Sequence, residues 1–255
     1  MNSSFFTAAV GAAQQQLRLN VQANNIANVN TYGFKAQKPT FASLMYGNVN
    51  GINNQKLPRG SGAKMAMDGT DFSGGAIDNT GRTQDYAING EGFFGLYDPT
   101  SGEVSYTRDG SFTLSEFHRQ KRTEDGSEAE LDENGQPVME TVYMLSDGLG
   151  RFVLNDRGAV TEVTDPEAKQ PVGVFDFTNT DGMTRTSENR YIPTGKNGQV
   201  RFGTGTVQQG ALEVSNTDLA EQITKVIEAQ RSFSYNLRMV TTSDELESTV
   251  NNLRS

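Results

Sequence analysis

The sequence predicts an α+β chain. N- and C-terminal helices pair as a coiled-coil-like helical domain, and an all-β domain is inserted between them. Three observations carry this expectation. All but Gly11 and Gly33 of the 27 glycines lie between Gly47 and Gly210, and all 7 prolines lie between Pro39 and Pro193. Breakers therefore crowd the middle and spare both ends. Each end carries apolar residues at alternating spacings of four and three, and the middle carries short β-prone runs separated by turn pairs.

At the N-terminus, Phe5, Ala9, Ala12, Gln16, Leu19, Ala23 and Ile26 form one such seam. Its small residues would let a partner helix approach closely. The helix ends in Ala23-Asn24-Asn25-Ile26-Ala27-Asn28-Val29-Asn30-Thr31-Tyr32-Gly33-Phe34-Lys35. Asparagine competes for backbone hydrogen bonds and is a middling helix former, so Asn24, Asn25, Asn28 and Asn30 mark amides that need partners, in this chain or in another copy. Gly33 can take the left-handed conformation that stops a helix.

Residues 35–70 are polar and glycine-studded, with Phe41, Leu44, Met45 and Tyr46 as the dense apolar patch. They are expected to form an extended connector, longer than an ordinary loop and therefore packed along something.

Residues 71–210 are expected to be all-β. Runs such as Asp85–Ile88, Gly92–Phe94, Val104–Thr107, Val142–Leu145 and Val172–Phe175 alternate with Asp109-Gly110, Asn134-Gly135, Asp147-Gly148 and Asp181-Gly182. Within this region Ser115–Pro137 is basic and then acidic, which predicts a solvated loop.

In residues 211–255, Ser215-Asn216-Thr217-Asp218 is a helix-start signal. Leu219, Ile223, Val226, Gln230, Phe233, Leu237 and Val240 then give a second seam, after which the stripe shifts phase to Met239, Ser243, Leu246, Val250 and Leu253. The two seams are expected to face each other. The alternative is that each helix packs separately on the β domain.

Composition excludes several functions. A net charge of -9 with no Lys/Arg block offers no footprint for nucleic acid. The absence of cysteine removes disulfides, thiolate zinc sites and cysteine nucleophiles. No apolar run is long enough for a membrane span, and Met1–Phe6 lacks the basic start and apolar core of a secretory signal. Gly90-Glu91-Gly92-Phe93-Phe94-Gly95 fits G-x-G-x-x-G, but the turn Asp98-Pro99 follows where a dinucleotide site needs a helix. His118 is the only histidine and sits in the charged stretch, a poor place for a metal ligand or an oriented base. The acidic turns lack EF-hand spacing. No catalytic constellation, cofactor site or metal site is expected, and the protein is not expected to be an enzyme.

The Asn-rich stretch closely resembles the A-N-N-[LI]-A-N-x-[NS]-T-x-G-[FY]-K signature of bacterial flagellar rod and hook proteins. The likeness continues in Asp85–Phe94, in Tyr106-Thr107-Arg108-Asp109-Gly110-Ser111-Phe112, in Gln209–Asn216 and in the Gln230-Arg231-Ser232-Phe233 helix. It lapses over Ser115 to about Thr164. The resemblance implies a structural rod subunit, of the distal-rod type rather than a proximal-rod or hook paralogue. Such a subunit would polymerise with itself into a helical axial tube, contact other rod and hook proteins, and reach the basal body through the flagellar export apparatus without a cleaved signal. On this basis the assembly interface is expected to comprise Phe5, Leu19, Asn24, Asn25, Ile26, Asn28, Gly33 and Phe34 with Leu219, Ile223, Val226, Gln230, Phe233, Leu237 and Val240. A secreted β-rich binding module is the alternative from another class; it would not need the terminal helices.

Overall fold

The computed structural model describes residues 3–50, 56–120 and 139–253. The chain divides into two compact units, one of Met1–Val29, Lys35–Asp71 and Thr217–Ser255, the other of Asn30–Phe34 and Phe72–Asn216.

The first unit is built on two helices, α1 (Ser3–Ala27) and α2 (Leu219–Asn252). Asp218 caps α2 from an extended conformation, its carboxylate accepting from Ala220 N and Glu221 N, while Glu221 adds favourable charge to the first turn. The helices run antiparallel: Ser4 Oγ lies 3.2 Å from Ser243 Oγ, Arg18 pairs with Glu228 at 3.2 Å, and Asn25 Nδ2 donates to Gln222 Oε1 at 3.2 Å. A side chain at Gly11 would meet Asn236 Oδ1 at 3.1 Å, so the backbones come close there.

The stripe that α2 buries differs from the expected seam. Gln222, Ala229 and Ser243 are buried, and Asn236 is half-buried, at steps of seven; Val226, Phe233 and Val240 accompany them. Leu219, Ile223 and Leu237 are instead 44%, 46% and 45% exposed, and Gln16 and Gln230 are exposed as well. The physical reason lies in size and pairing. Ala229 and Ser243 allow the approach that Gly11, Ala8 and Ala12 permit from α1, whereas isoleucine and leucine would hold the helices apart. The two candidate stripes share Val226, Phe233 and Val240, so apolar periodicity alone could not separate them.

The expected connector is strand-paired. Gln37–Ser43 pairs antiparallel with Ala63–Thr70, with an irregularity between Lys38 and Thr40 that accommodates Pro39. Gly47–Asn50 pairs with Lys56–Arg59. The ladder is tied to α1 where Met65 N–H donates to Gln14 Oε1 at 2.7 Å.

The second unit is sheet-rich and antiparallel throughout. Its centre is Phe93–Tyr97, which pairs with Val104–Thr107, Phe152–Val153 and Val174–Phe177. Successive side chains of a strand point to opposite faces, so Phe94 and Leu96 join one core with Tyr86, Phe112 and Leu145, and Phe93 joins another with Tyr106, Phe175, Phe177 and Tyr191. Gly95 sits between them because a Cβ there would stand 2.8 Å from the Phe175 ring. Gly92, at φ +122°, is likewise a packing glycine: its Cβ would clash with Val174 Cγ1.

Ser115–Gln120 is strand, not loop. Thr113–Gln120 pairs residue for residue with Met139–Ser146. His118 lies exposed on that ladder, its Nδ1 3.0 Å from Thr141 Oγ1. The rest of the predicted charged loop, residues 121–138, lies outside the described residues.

Candidate functional site

The asparagines divide by role. Asn25 is fully buried: its Nδ2 donates to Gln37 O at 2.9 Å and its Oδ1 accepts from Gln37 N at 2.9 Å. The carboxamide thus imitates a neighbouring strand, and its remaining donor reaches Gln222. One side chain ties the end of α1, the following ladder and α2 together, with every polar atom used as burial demands. Asn28 Nδ2 donates to Asn24 O at 2.9 Å, adding to the backbone bond that the same carbonyl accepts from Asn28 N at 3.2 Å at the end of α1. Asn24 itself is exposed.

In the second unit, motifs far apart in sequence converge. Gly33, at φ +65°, lies against the Arg108–Asp109 backbone, where a Cβ would come within 2.3 Å of Asp109 N. Its N–H donates to Glu213 O at 2.7 Å. Glu213 in turn pairs with Arg108 at 3.0 Å, with side chains 1% and 3% exposed. The second oxygen of Glu213 accepts from Gly75 N at 2.8 Å, and Arg108 Nη2 donates to Gly90 O at 2.8 Å. Such extra hydrogen bonds support a buried ion pair, leaving only Arg108 Nε without a hydrogen-bond partner among the described residues. Phe34 is buried beneath the Arg185 guanidinium, 4.3 Å from its ring centroid, and Tyr32 O accepts from Asn189 Nδ2 at 3.2 Å. Asn189 and Glu188 both hold positive φ, of 57° and 63°.

The residues named as an interface therefore fall into two sets. Asn25, Gly33 and Phe34 serve the fold of a single chain, and Phe5, Leu19, Ile26, Asn28, Val226, Phe233 and Val240 are half-buried. Asn24, Leu219, Ile223, Gln230 and Leu237 are uncovered. Periodicity missed Arg108, Glu213, Gln222 and Gln37. For Arg108 and Glu213 a signal existed: each is a charge set inside an otherwise β-prone motif. Among the described residues no group of three or more His, Cys, Asp or Glu is placed to hold a metal, and no helix is long and apolar enough to cross a membrane.

Known proteins are similar in sequence to this chain over all or nearly all of their length. The flagellar basal-body rod protein FlgG of Bacillus subtilis (strain 168) is 32% identical, with all of both chains covered. The chain belongs to the flagellar basal-body rod protein family. FlgG of Buchnera aphidicola subsp. Baizongia pistaciae is 31% identical over 96% of this chain and 97% of its own. The rod protein FlgF of Caulobacter vibrioides is 31% identical over 93% of each. Family models agree by segment: "Flagella basal body rod protein" matches residues 6–35, "Flagellar hook protein FlgE/F/G D1 domain" residues 87–162, and "Flagellar basal body rod FlgEFG protein C-terminal" residues 208–253. The first and last of these family segments contain most of α1 and all of α2, and each also carries part of the Gly33–Glu213 junction.

Proposed function

We infer that this protein is a structural subunit of the distal flagellar rod, self-assembling into the axial tube that carries motor torque to the hook and filament. The observation that carries this reading is the full-length likeness to FlgG rod proteins combined with long helices that leave large apolar side chains, among them Phe6, Leu17, Ile223, Ile227 and Leu237, exposed in one chain. A surface of that kind suits a polymer, because apolar area left in water by one copy is removed from it by the next.

In this reading α1 and α2 form a coiled-coil-like helical domain, an assignment supported by the seven-residue recurrence of Gln222, Ala229, Asn236 and Ser243. Residues 1–34 and 211–255 supply that domain, 35–70 flank it and 71–210 form the β domain. The uncovered positions Leu219, Ile223, Gln230 and Leu237 with Asn24 contact other copies, and the half-buried Phe5, Leu19, Ile26, Asn28, Val226, Phe233 and Val240 support them. Other rod and hook proteins are the neighbours at either end. The chain leaves the cell through the flagellar export apparatus and works outside the cytoplasm in the basal body. Its role is mechanical, without catalysis, nucleic acid or membrane insertion.

Electron microscopy of basal bodies from a strain lacking the gene tests this. Particles that stop at the inner rings or at a truncated rod, with no hook, are expected, and the stopping point names the rod segment. Complete flagella of normal length would overturn the reading. Phe233→Asp should abolish incorporation while the β unit stays folded; normal assembly of that variant would remove the helices from the interface.

A further inference from the structure

The helices carry two exposed stripes that their own pairing leaves uncovered. On α1, Phe6, Val10, Ala13, Leu17, Asn20 and Asn24 are all exposed and follow one another at steps of 4, 3, 4, 3 and 4. On α2, Ile223, Ile227, Gln230, Ser234, Leu237 and Thr241 are all exposed and follow the same steps. Each stripe spans about 27 Å at the helical rise.

Neither stripe contains a charge. Arg18 is the one charged residue of α1, and it is already engaged with Glu228 of the same chain. Along the same stretch the charges of α2 lie off the stripe, at Lys225, Glu228, Arg231 and Arg238, and Asp244 stands one step beyond its end. Four of the five polar members also have local partners. Asn20 Oδ1 accepts from Gln16 at 3.3 Å and Asn24 Oδ1 from Asn28 at 2.9 Å; the Ser234 hydroxyl donates to Gln230 O at 3.0 Å and that of Thr241 to Arg238 O at 2.9 Å. Burying polar groups that keep a hydrogen bond costs far less than burying bare ones. Both stripes can therefore be dried without stranding a charge.

We propose that the α1 stripe of one copy packs on the α2 stripe of a second copy of this chain. The proposal rests on the rod-subunit reading and specifies which surfaces meet. The two stripes match in length, step pattern and lack of charge, as facing helix seams must. They are different surfaces, so each copy offers one and receives the other. A contact of that heterologous kind extends into a helical filament when its rotation does not close a ring, as a rod requires. Each α1 would then lie between its own α2 and that of a neighbour. This accounts for the division of labour on α2, where polar and small residues face the same chain and isoleucine and leucine face outward.

The cysteine-free sequence makes the test direct. Full-length Leu17→Cys chains carrying a tag are co-assembled with untagged chains bearing Ile223→Cys, Ile227→Cys, Ser234→Cys or Leu237→Cys, and then oxidised. A tagged–untagged disulfide dimer at one or more α2 stripe positions is expected, with none from an Arg231→Cys control on the charged face, since a disulfide forms only across about 4–7 Å between Cα atoms. Polymer that forms normally but links Leu17→Cys only to itself or to Arg231→Cys overturns the pairing and leaves the rod role intact. An unmodified chain that never enters rods overturns the rod role and the pairing together. Leu17→Asp supplies a second readout. Helix content of the dilute chain should be unchanged while incorporation falls about tenfold or more, because a bare carboxylate would be buried at the contact; wild-type incorporation would again refute the pairing.

Discussion

The two units treat polar groups in opposite ways. In the β unit, aromatic side chains fill the interior and one ion pair, Arg108 with Glu213, is sealed among them with further hydrogen bonds. In the helical unit the interior seam of α2 sets amides, hydroxyls and small side chains among the half-buried Val226, Phe233 and Val240, and Leu219, Ile223, Ile227 and Leu237 remain outside. The first pattern satisfies the hydrophobic effect within one chain. The second leaves apolar area in water, so the helical unit is the part whose stability should depend on other copies.

Two substitutions should break this contrast most strongly. Arg108→Ala strands Glu213 as a buried, unpaired charge, a loss of about 3–5 kcal/mol. Urea unfolding followed by tyrosine signals of the β unit should record it, while helix content is little changed. Asn25→Ala should do the converse. It leaves the part-buried Gln37 N–H and C=O and the buried Gln222 amide short of partners, at a cost of about 2–3 kcal/mol. Helical circular dichroism should melt earlier with the β unit unaltered, and incorporation into filaments should be lost. If either variant unfolds both units together, they are one cooperative body and the contrast fails.

Tyr191 sharpens the picture from the β side. It is fully buried, its hydroxyl has no hydrogen-bond partner among the described residues, and burial pushes its pKa up to about 12. The folded state therefore keeps this proton where the unfolded chain, with a pKa of about 10, has lost it. Stability is whole below pH 10 and declines as pH rises towards 12, by on the order of 2–3 kcal/mol. Tyr191→Phe should blunt that alkaline transition and leave neutral-pH stability nearly unchanged, since no hydrogen bond is lost. A wild-type alkaline profile in the variant would assign the transition to another group.

The helix–sheet–helix order was legible because glycine and proline placement reports directly on where regular helix can form. Most central strands were legible for the same local reason. The buried stripe of α2 was not. Gln222, Asn236 and Ser243 face inward because they find hydrogen-bond partners or close approach across the seam, and a hydrophobicity pattern scores them as outward. The strand at Ser115–Gln120 was hidden by its charges, which sit comfortably on an exposed ladder where Arg119 reaches Glu140 and Glu162. Arg108 and Glu213 lie 105 residues apart, beyond what spacing can join. Asn25 is one of four asparagines expected to need partners in this chain or in another copy, and its partners lie within the chain.

The mildest test concerns the start of α2. Asp218→Ala removes the two hydrogen bonds to Ala220 N and Glu221 N and should cost about 1 kcal/mol. Asp218→Asn should recover most of it, because asparagine caps nearly as well and only the charge at the positive helix end is lost. The loss should appear as fraying in helical circular dichroism and leave the near-ultraviolet tyrosine spectrum of the β unit as it was. Because Leu219 and Ile223 lie immediately after the cap, fraying in the dilute chain should also be reversed on assembly, when a neighbouring copy covers that turn. A variant equally frayed in filaments and in dilute solution would mean that the first turns of α2 stay uncovered in the polymer.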